Sequence, residues 1–137
     1  MNIICNKSSL LKGVGTVIRA VSQKTTMPIL QCILLKAENQ EFSLTANDLE
    51  LGIHCVSEAV VKKEGSVAVN AKIFSEIIRR LPDDEISIDS DEQDNITISC
   101  GKSKFIIPGQ KGNDFRLLPE VKSENQMVLP QNEFRQM

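Results

Sequence analysis

The sequence predicts an α+β fold in which two helices lie on one face of a mainly antiparallel sheet. Three observations carry that prediction. Residues 7–22 and 71–81 each place apolar side chains at helical spacing. Short apolar runs bounded by polar turns follow both, at strand length. The order strand, helix, strand, strand, strand occurs twice, over residues 2–60 and again over 66–108. Two similar halves side by side are therefore expected.

NIICN (2–6) is a short strand by pattern. In KSSLLKGVGTVIRAVS the residues Leu10, Val14, Val17, Ile18 and Val21 make one stripe, and Ser8 or Ser9 is available as a cap. Gly13 and Gly15 lower the local helix propensity, so packing has to hold this helix. SQKTTMP is a polar loop. ILQCILLKAE, EFSLTAND and LELGIHCVSEAV are three strands, with ENQE and AND as turns. In the second half, SVAVN (66–70) is a strand. The following helix carries the stripe Phe74, Ile77, Ile78 and Leu81, and Pro82 stands past its end. EISIDSD, NITISCG and KSKFIIPG are the last three strands. Residues 109–126 mix Gly, Pro and charge without periodicity and read as a connector. MVLPQNEFRQM repeats the opening of each half: an apolar strand, a polar corner, a helix start. A third unit is expected to begin there.

A chain of 137 residues suits one domain with a short extension. With 41% apolar and 25% charged residues it can bury a core without metals or disulfides. Five Phe and no Trp or Tyr make that core mainly aliphatic. Cys5, Cys32, Cys55 and Cys100, with His54 as the one histidine, lack zinc-ligand spacing, so reduced and mostly buried thiols are expected. The sequence has neither a signal-peptide profile at its start nor an apolar run of about 18 residues. A cytoplasmic protein without membrane contact is expected.

The net charge of −2 hides an uneven distribution. At about 100° per residue, Lys12 and Arg19 fall opposite the first stripe, and Lys72 and Arg79 opposite the second. Glu76 stands between the latter two, and Lys24 adds charge from the loop. Between Asp83 and Asp94, seven of twelve residues are acidic. The pattern is one basic helical face on an acidic body, suited to contacting phosphates without reading bases. Exposed helix faces are also commonly basic for solubility.

Catalytic motifs do not assemble. Gly101-Lys102-Ser103 resembles the tail of a phosphate-binding loop, but Ile96 stands where that loop needs glycine. DSDEQDN (89–95) has Asp94 and Cys100 where a calcium loop needs Gly and Glu. Asp48 and Glu50 alternate on one face of a turn and strand, and His54 has apolar neighbours. No catalytic residue, metal or cofactor is expected. A small metal-dependent hydrolase built on Asp48, Glu50 and His54 is one rival reading. A protein-interaction module without DNA binding is the other.

Five strings, in order, carry a family resemblance: LLKGV, TMPILQCILLKA, SLTANDLELGI, VNAKIFSEIIRRLP, and GKSKFIIPG followed by DFRLLPEV. With the repeat and the basic helix faces, the sequence resembles the bacterial sliding clamps, the beta subunits of DNA polymerase III. Residues 1–121 resemble the clamp N-terminal domain. Residues 122–137 resemble the linker and the start of the middle domain. The resemblance implies a DNA-clamp fold, three similar domains per subunit, and two subunits joined head to tail in a ring. Helices would line the hole and sheets the outer wall. It implies double-stranded DNA as a sequence-independent ligand, and DNA polymerase III and the clamp loader as partners of the full homodimeric protein. Tethering raises effective concentration and needs no chemistry.

Carried over position by position, Lys24 matches a DNA-contacting loop residue, and Lys12, Lys72 and Arg79 match pore-lining positions. Arg19 rests on the helical wheel alone. KSKFII matches the edge strand that meets the partner subunit. There Phe105 and Ile107 would share one face, and Lys102 and Lys104 would pair with acids across the interface. The pattern by itself also fits an ordinary final strand with Phe105 in the core. The family's last domain completes that interface and, with the middle domain, the docking groove. By itself this chain is thus expected to be monomeric, not to encircle DNA and not to bind clamp-binding peptides. Residues 122–137 are expected to be loose.

Overall fold

The computed structural model describes residues 1–117, 119 and 124–137. The strands are β1 (Asn2–Asn6), β2 (Cys32–Glu38), β3 (Glu41–Asn47), β4 (Gly52–Ser57), β5 (Val60–Lys63), β6 (Gly65–Asn70), β7 (Glu85–Ser90), β8 (Ile96–Cys100), β9 (Ser103–Ile107) and β10 (Gly109–Lys111). The helices are α1 (Lys7–Val17), α2 (Ala71–Arg80) and the short α3 (Gln131–Gln136). The α+β architecture and its two amphipathic helices are those the sequence predicts. The strands, however, divide into two five-stranded sheets, ordered β5-β1-β7-β8-β9 and β10-β6-β2-β3-β4. Every pairing is antiparallel.

The halves explain the division. Each is a strand, a helix and four more strands. Each sheet takes the first and last strands of one half and the three middle strands of the other. The helices carry the chain across: β1 and β2 lie in different sheets, as do β6 and β7. The two halves are therefore interlocked and cannot separate as independent units. The sequence reading missed the last strand of each half. LELGIHCVSEAV breaks at Glu58 and Ala59, where the chain leaves one sheet for the other. In the stretch read as a connector, β10 has no apolar alternation and is held by backbone pairing to β6.

Asn6 and Asn70, 64 positions apart, each end a strand directly before a helix. That offset superimposes the buried stripes: Leu10 on Phe74, Val14 on Ile78 and Val17 on Leu81, all buried. Asn70 caps α2, its side chain accepting from the Ile73 N–H at 3.1 Å. On α1 neither Ser8 nor Ser9 is the cap. Both lie inside the helix, and Asn6 precedes it without a side-chain cap bond. Packing holds α1 instead. A Cβ on Gly13 would stand 3.1 Å from Leu44 Cδ1, so the missing side chain lets α1 settle on the β3–β4 surface.

One apolar cluster joins both helices to both sheets, from Ile3 and Leu10 through Ile33, Phe74 and Ile98. A second, small cluster of Cys32, Leu34, Ala68 and Phe115 lies apart from it. Residues 112–115 pack against β2 and β6 there. After β10, a 3₁₀ turn at Gly112–Asp114 delivers Phe115, and the buried Asn47 amide donates to the Arg116 carbonyl. Strand β2 is buried along most of its length, which accounts for its unbroken apolar run CILL. Residues 29–31, read as part of that strand, belong to a 3₁₀ turn at Pro28–Gln31, where Pro28 opens a helical turn.

Met127–Leu129, read as a strand, belong to neither sheet and are exposed, and the turn of helix after them forms as α3. A strand needs a ladder partner, and among the described residues these three have none. The expected boundary between residues 121 and 122 lies outside the described residues.

All four cysteines are free. Burial, helped by the charge of Glu85, pushes the Cys5 thiol up to about 12, and burial raises Cys32 as well. Thiolate is the reactive form. Alkylation of the native protein is therefore expected to modify half-buried Cys55 first. Cys5, Cys32 and Cys100 should react only in denaturant, as mass spectrometry of a time course would show.

Candidate nucleic-acid interface

Lys7 opens α1 and reaches the far end of α2. Its Nζ donates to the Leu81 carbonyl at 2.6 Å and to the Arg79 carbonyl at 3.1 Å. An ammonium there satisfies orphan carbonyls and complements the helix dipole. At the opposite ends, Ile18, Val21, Ser22 and Gln23 face Asn70, Ala71 and Lys72 across a cleft. The two helices thus pack side by side and antiparallel. Sequence reasoning passed over Lys7. A lysine in a first helical turn opposes its own helix dipole, and that mismatch is the available signal that it serves another helix.

The stripes of both helices face the core, so their opposite poles face solvent. Lys12, Lys72 and Arg79 are all exposed, as is Arg19 in the 3₁₀ turn Ile18–Ala20 that extends α1. Lys24 is exposed in the following loop. The cleft, about 500 Å³, brings some of these together: Lys72, Glu76 and Arg79 form one wall, and Ser22, Gln23 and Gln31 lie across from them. Lys24 directly follows that facing wall. Lys12 and Arg19 do not line the cleft. Arg80, which the sequence reading did not single out, is also exposed.

The other candidate residues are placed differently. Asp48 Oδ1 accepts from the Leu51 N–H at 2.7 Å and the Glu50 N–H at 3.0 Å, and these bonds hold its carboxyl below the usual carboxylate range. It closes the β3–β4 turn, with exposed Glu50 two residues on. His54 Nδ1 is bonded to Thr45 Oγ1 at 2.8 Å, directly across the β3–β4 ladder. Gly101 adopts φ +56 in the hairpin that pairs Cys100 with Ser103, which is why Gly-Lys-Ser stands there. Asp91 accepts from the Gln93 and Asn95 backbones and the Asn95 amide, closing the acidic β7–β8 turn on itself.

β9 is one of the two edge strands of its sheet, with β5 at the other side. Lys102 and Lys104 are exposed there. Phe105 and Ile107 do share a face, but it is the face of their buried partners Ile98 and Ile96. Phe105 is 38% exposed, whereas Ile107 is 9% exposed and belongs to the core. As an edge side chain Ile107 is corrected to a core residue. Ile106, on the opposite face and 67% exposed, is the apolar group the strand offers to solvent.

An antiparallel helix pair with basic outer poles, over interlocked sheets with a free edge, matches a known arrangement. The sequence profile of the DNA polymerase III beta subunit, N-terminal domain, matches residues 1–119. The chain belongs to the DNA polymerase III beta subunit family. It is 37% identical to the beta sliding clamp of Synechocystis sp., over 95% of this chain and 35% of that protein. It is 33% identical to a beta sliding clamp sequence of Vibrio harveyi, over 98% of this chain and 94% of that sequence. A crystal structure assigned to a DNA polymerase III beta subunit of Eubacterium rectale superimposes with a TM-score of 0.91 at 46% identity, covering 94% of this chain and 35% of that one. This beta-subunit domain thus spans about a third of the Synechocystis relative's length. Among the described residues no helix is long and apolar enough to cross a membrane.

Proposed function

We propose that this chain is the N-terminal domain of a sliding clamp. In the full protein two subunits join head to tail into a ring around duplex DNA, tether DNA polymerase III and are placed on DNA by the clamp loader. The clamp is a non-catalytic processivity subunit in the cytoplasm, with no cofactor. The domain ends near residue 121, and residues 122–137 link it to, and begin, the next one. One observation carries the reading. Lys72 and Arg79 wall a solvent-open cleft whose other side leads into Lys24, on the helical side of the domain. Lys12 and Arg19 extend the same basic side. Long cations on an exposed rigid helix pair suit phosphates, which position a duplex without specifying its sequence. Sliding follows from that lack of base readout.

The free β9 edge supplies the subunit contact. Lys102, Lys104 and Phe105 face the partner, while Ile107 anchors the strand from beneath. An apolar edge of this kind needs a cover, and a neighbouring subunit supplies one.

The test uses the full-length protein. Loaded clamps should stay on nicked circular DNA and leave once the circle is cut. Lys24→Glu should weaken DNA contact and flatten the salt dependence by about 0.9 in log–log slope per lost phosphate contact in each subunit. Unchanged loading, salt dependence and replication rate would remove Lys24 from the interface. Retention that ignores free DNA ends would count against a ring.

A further inference from the structure

We propose that Glu76 is an electrostatic brake on the grip of this helical face, weakening it so that the ring moves along the duplex. The proposal rests on the DNA-facing reading above. Two observations lead to it. First, the 64-residue offset that superimposes the buried stripes of α1 and α2 places Glu76 on Lys12. The same outward position carries a cation in one half and an anion in the other. Second, Glu76 lines the same cleft wall as Lys72 and Arg79 and is exposed.

Nothing in the packing calls for an acid there. The position is solvent-facing, so a lysine would fit as Lys12 does on α1. It is also past the first turn, where an acid would gain from the helix dipole. Lys72 and Glu76 are spaced i, i+4 with the cation first, the less favourable order. Among the described residues neither Lys72 nor Arg79 comes within ion-pair distance of Glu76. At i, i+4 from Lys72 and i, i+3 from Arg79, the carboxylate stands within about one Debye length, roughly 8 Å, of both basic groups. A phosphate drawn to Lys72 and Arg79 meets repulsion at the same site. Each move along DNA must break such contacts, so a weaker grip lowers the barrier between adjacent registers.

The test follows single full-length clamps, loaded on linear duplex, until they run off an end. Glu76→Gln removes the repulsion and adds no contact. It should slow diffusion and lengthen residence about two- to fivefold, the scale of one exposed charge interaction. Glu76→Lys should go further and steepen the salt dependence by about 0.9 in log–log slope per subunit. Arg79→Ala should shorten residence and serves as the control. If Arg79→Ala acts and both Glu76 variants match the parent, the brake is wrong while the DNA face stands. If none of the three acts, the DNA-facing reading fails and the brake fails with it. Thermal melting should match the parent in all three, since the positions are exposed.

Discussion

Replacing Phe74 with alanine is expected to lower the unfolding free energy by about 3–5 kcal/mol, the cost of deleting a buried aromatic ring. Phe74 is fully buried and lies in the cluster that joins both helices and both sheets. The fold offers little room to relax around the loss, because each sheet is built from strands of both halves. A collapse of α2 toward the vacancy would also drag the Lys7 bonds at its C-terminus. A domain of this size holds only about 5–15 kcal/mol in total, so the variant should unfold at much lower urea with a similar m-value. Lys72→Ala, two residues away on the exposed face, should change stability by no more than about 0.5 kcal/mol. The pair separates the two faces of one helix: the inner sets stability, and the outer carries the proposed DNA contact. A loss below about 1 kcal/mol for Phe74→Ala would mean that α2 is held by something other than this core.

The helices were legible because their apolar residues recur at a period that only one conformation satisfies. Leu10, Val14 and Val17, and then Phe74, Ile78 and Leu81, leave one side for the basic residues. Strands with alternating burial, such as β7 and β8, were legible for the same reason. What escaped was long-range. Alternation gives a strand's faces but not its sheet, so EISIDSD could not announce that it pairs with β1 from the other half. Short strands escaped too, since Gly109-Gln110-Lys111 owes its place to backbone bonds and has no apolar pattern. Lys7 shows the matching limit at the site. Its partners are carbonyls some 70 residues away, and a carbonyl leaves no trace in a sequence. Ile107 and Phe105 show a subtler one. Their shared face was readable, but whether that face meets core or solvent depends on how far the inner layers extend under an edge strand.

Gly109→Ala should have the other large effect on stability, of about 1–3 kcal/mol or more, because it overpacks a site that cannot yield. A Cβ at residue 109 would collide with the Asp94 carbonyl oxygen, stand 2.7 Å from Val67 Cγ2 and 3.1 Å from the Ala68 carbonyl oxygen. Two of those three are backbone atoms and cannot rotate away. The cheapest escape is for β10 to lift from β6, and β10 leads into the 3₁₀ turn that seats Phe115 over Cys32, Leu34 and Ala68. Gly112, further along the strap, is packed so closely on Ser66 that a Cβ there would overlap that side chain, so the strap cannot shift inward to make room. The strap should therefore detach as a unit while the main core stays closed. Cys32 reports this directly. It should become open to alkylation in Gly109→Ala at denaturant concentrations where Cys5 and Cys100, which belong to the main core, stay protected. If all three thiols open together, the strap is not a separate layer. The outcome also bears on assembly, because Asn47 holds the Arg116 carbonyl at the end of this strap. Losing the strap would free the direction in which the following residues depart. In the proposed ring of successive domains that direction has to be fixed, so a full-length protein carrying Gly109→Ala should load poorly even where its helical face is intact.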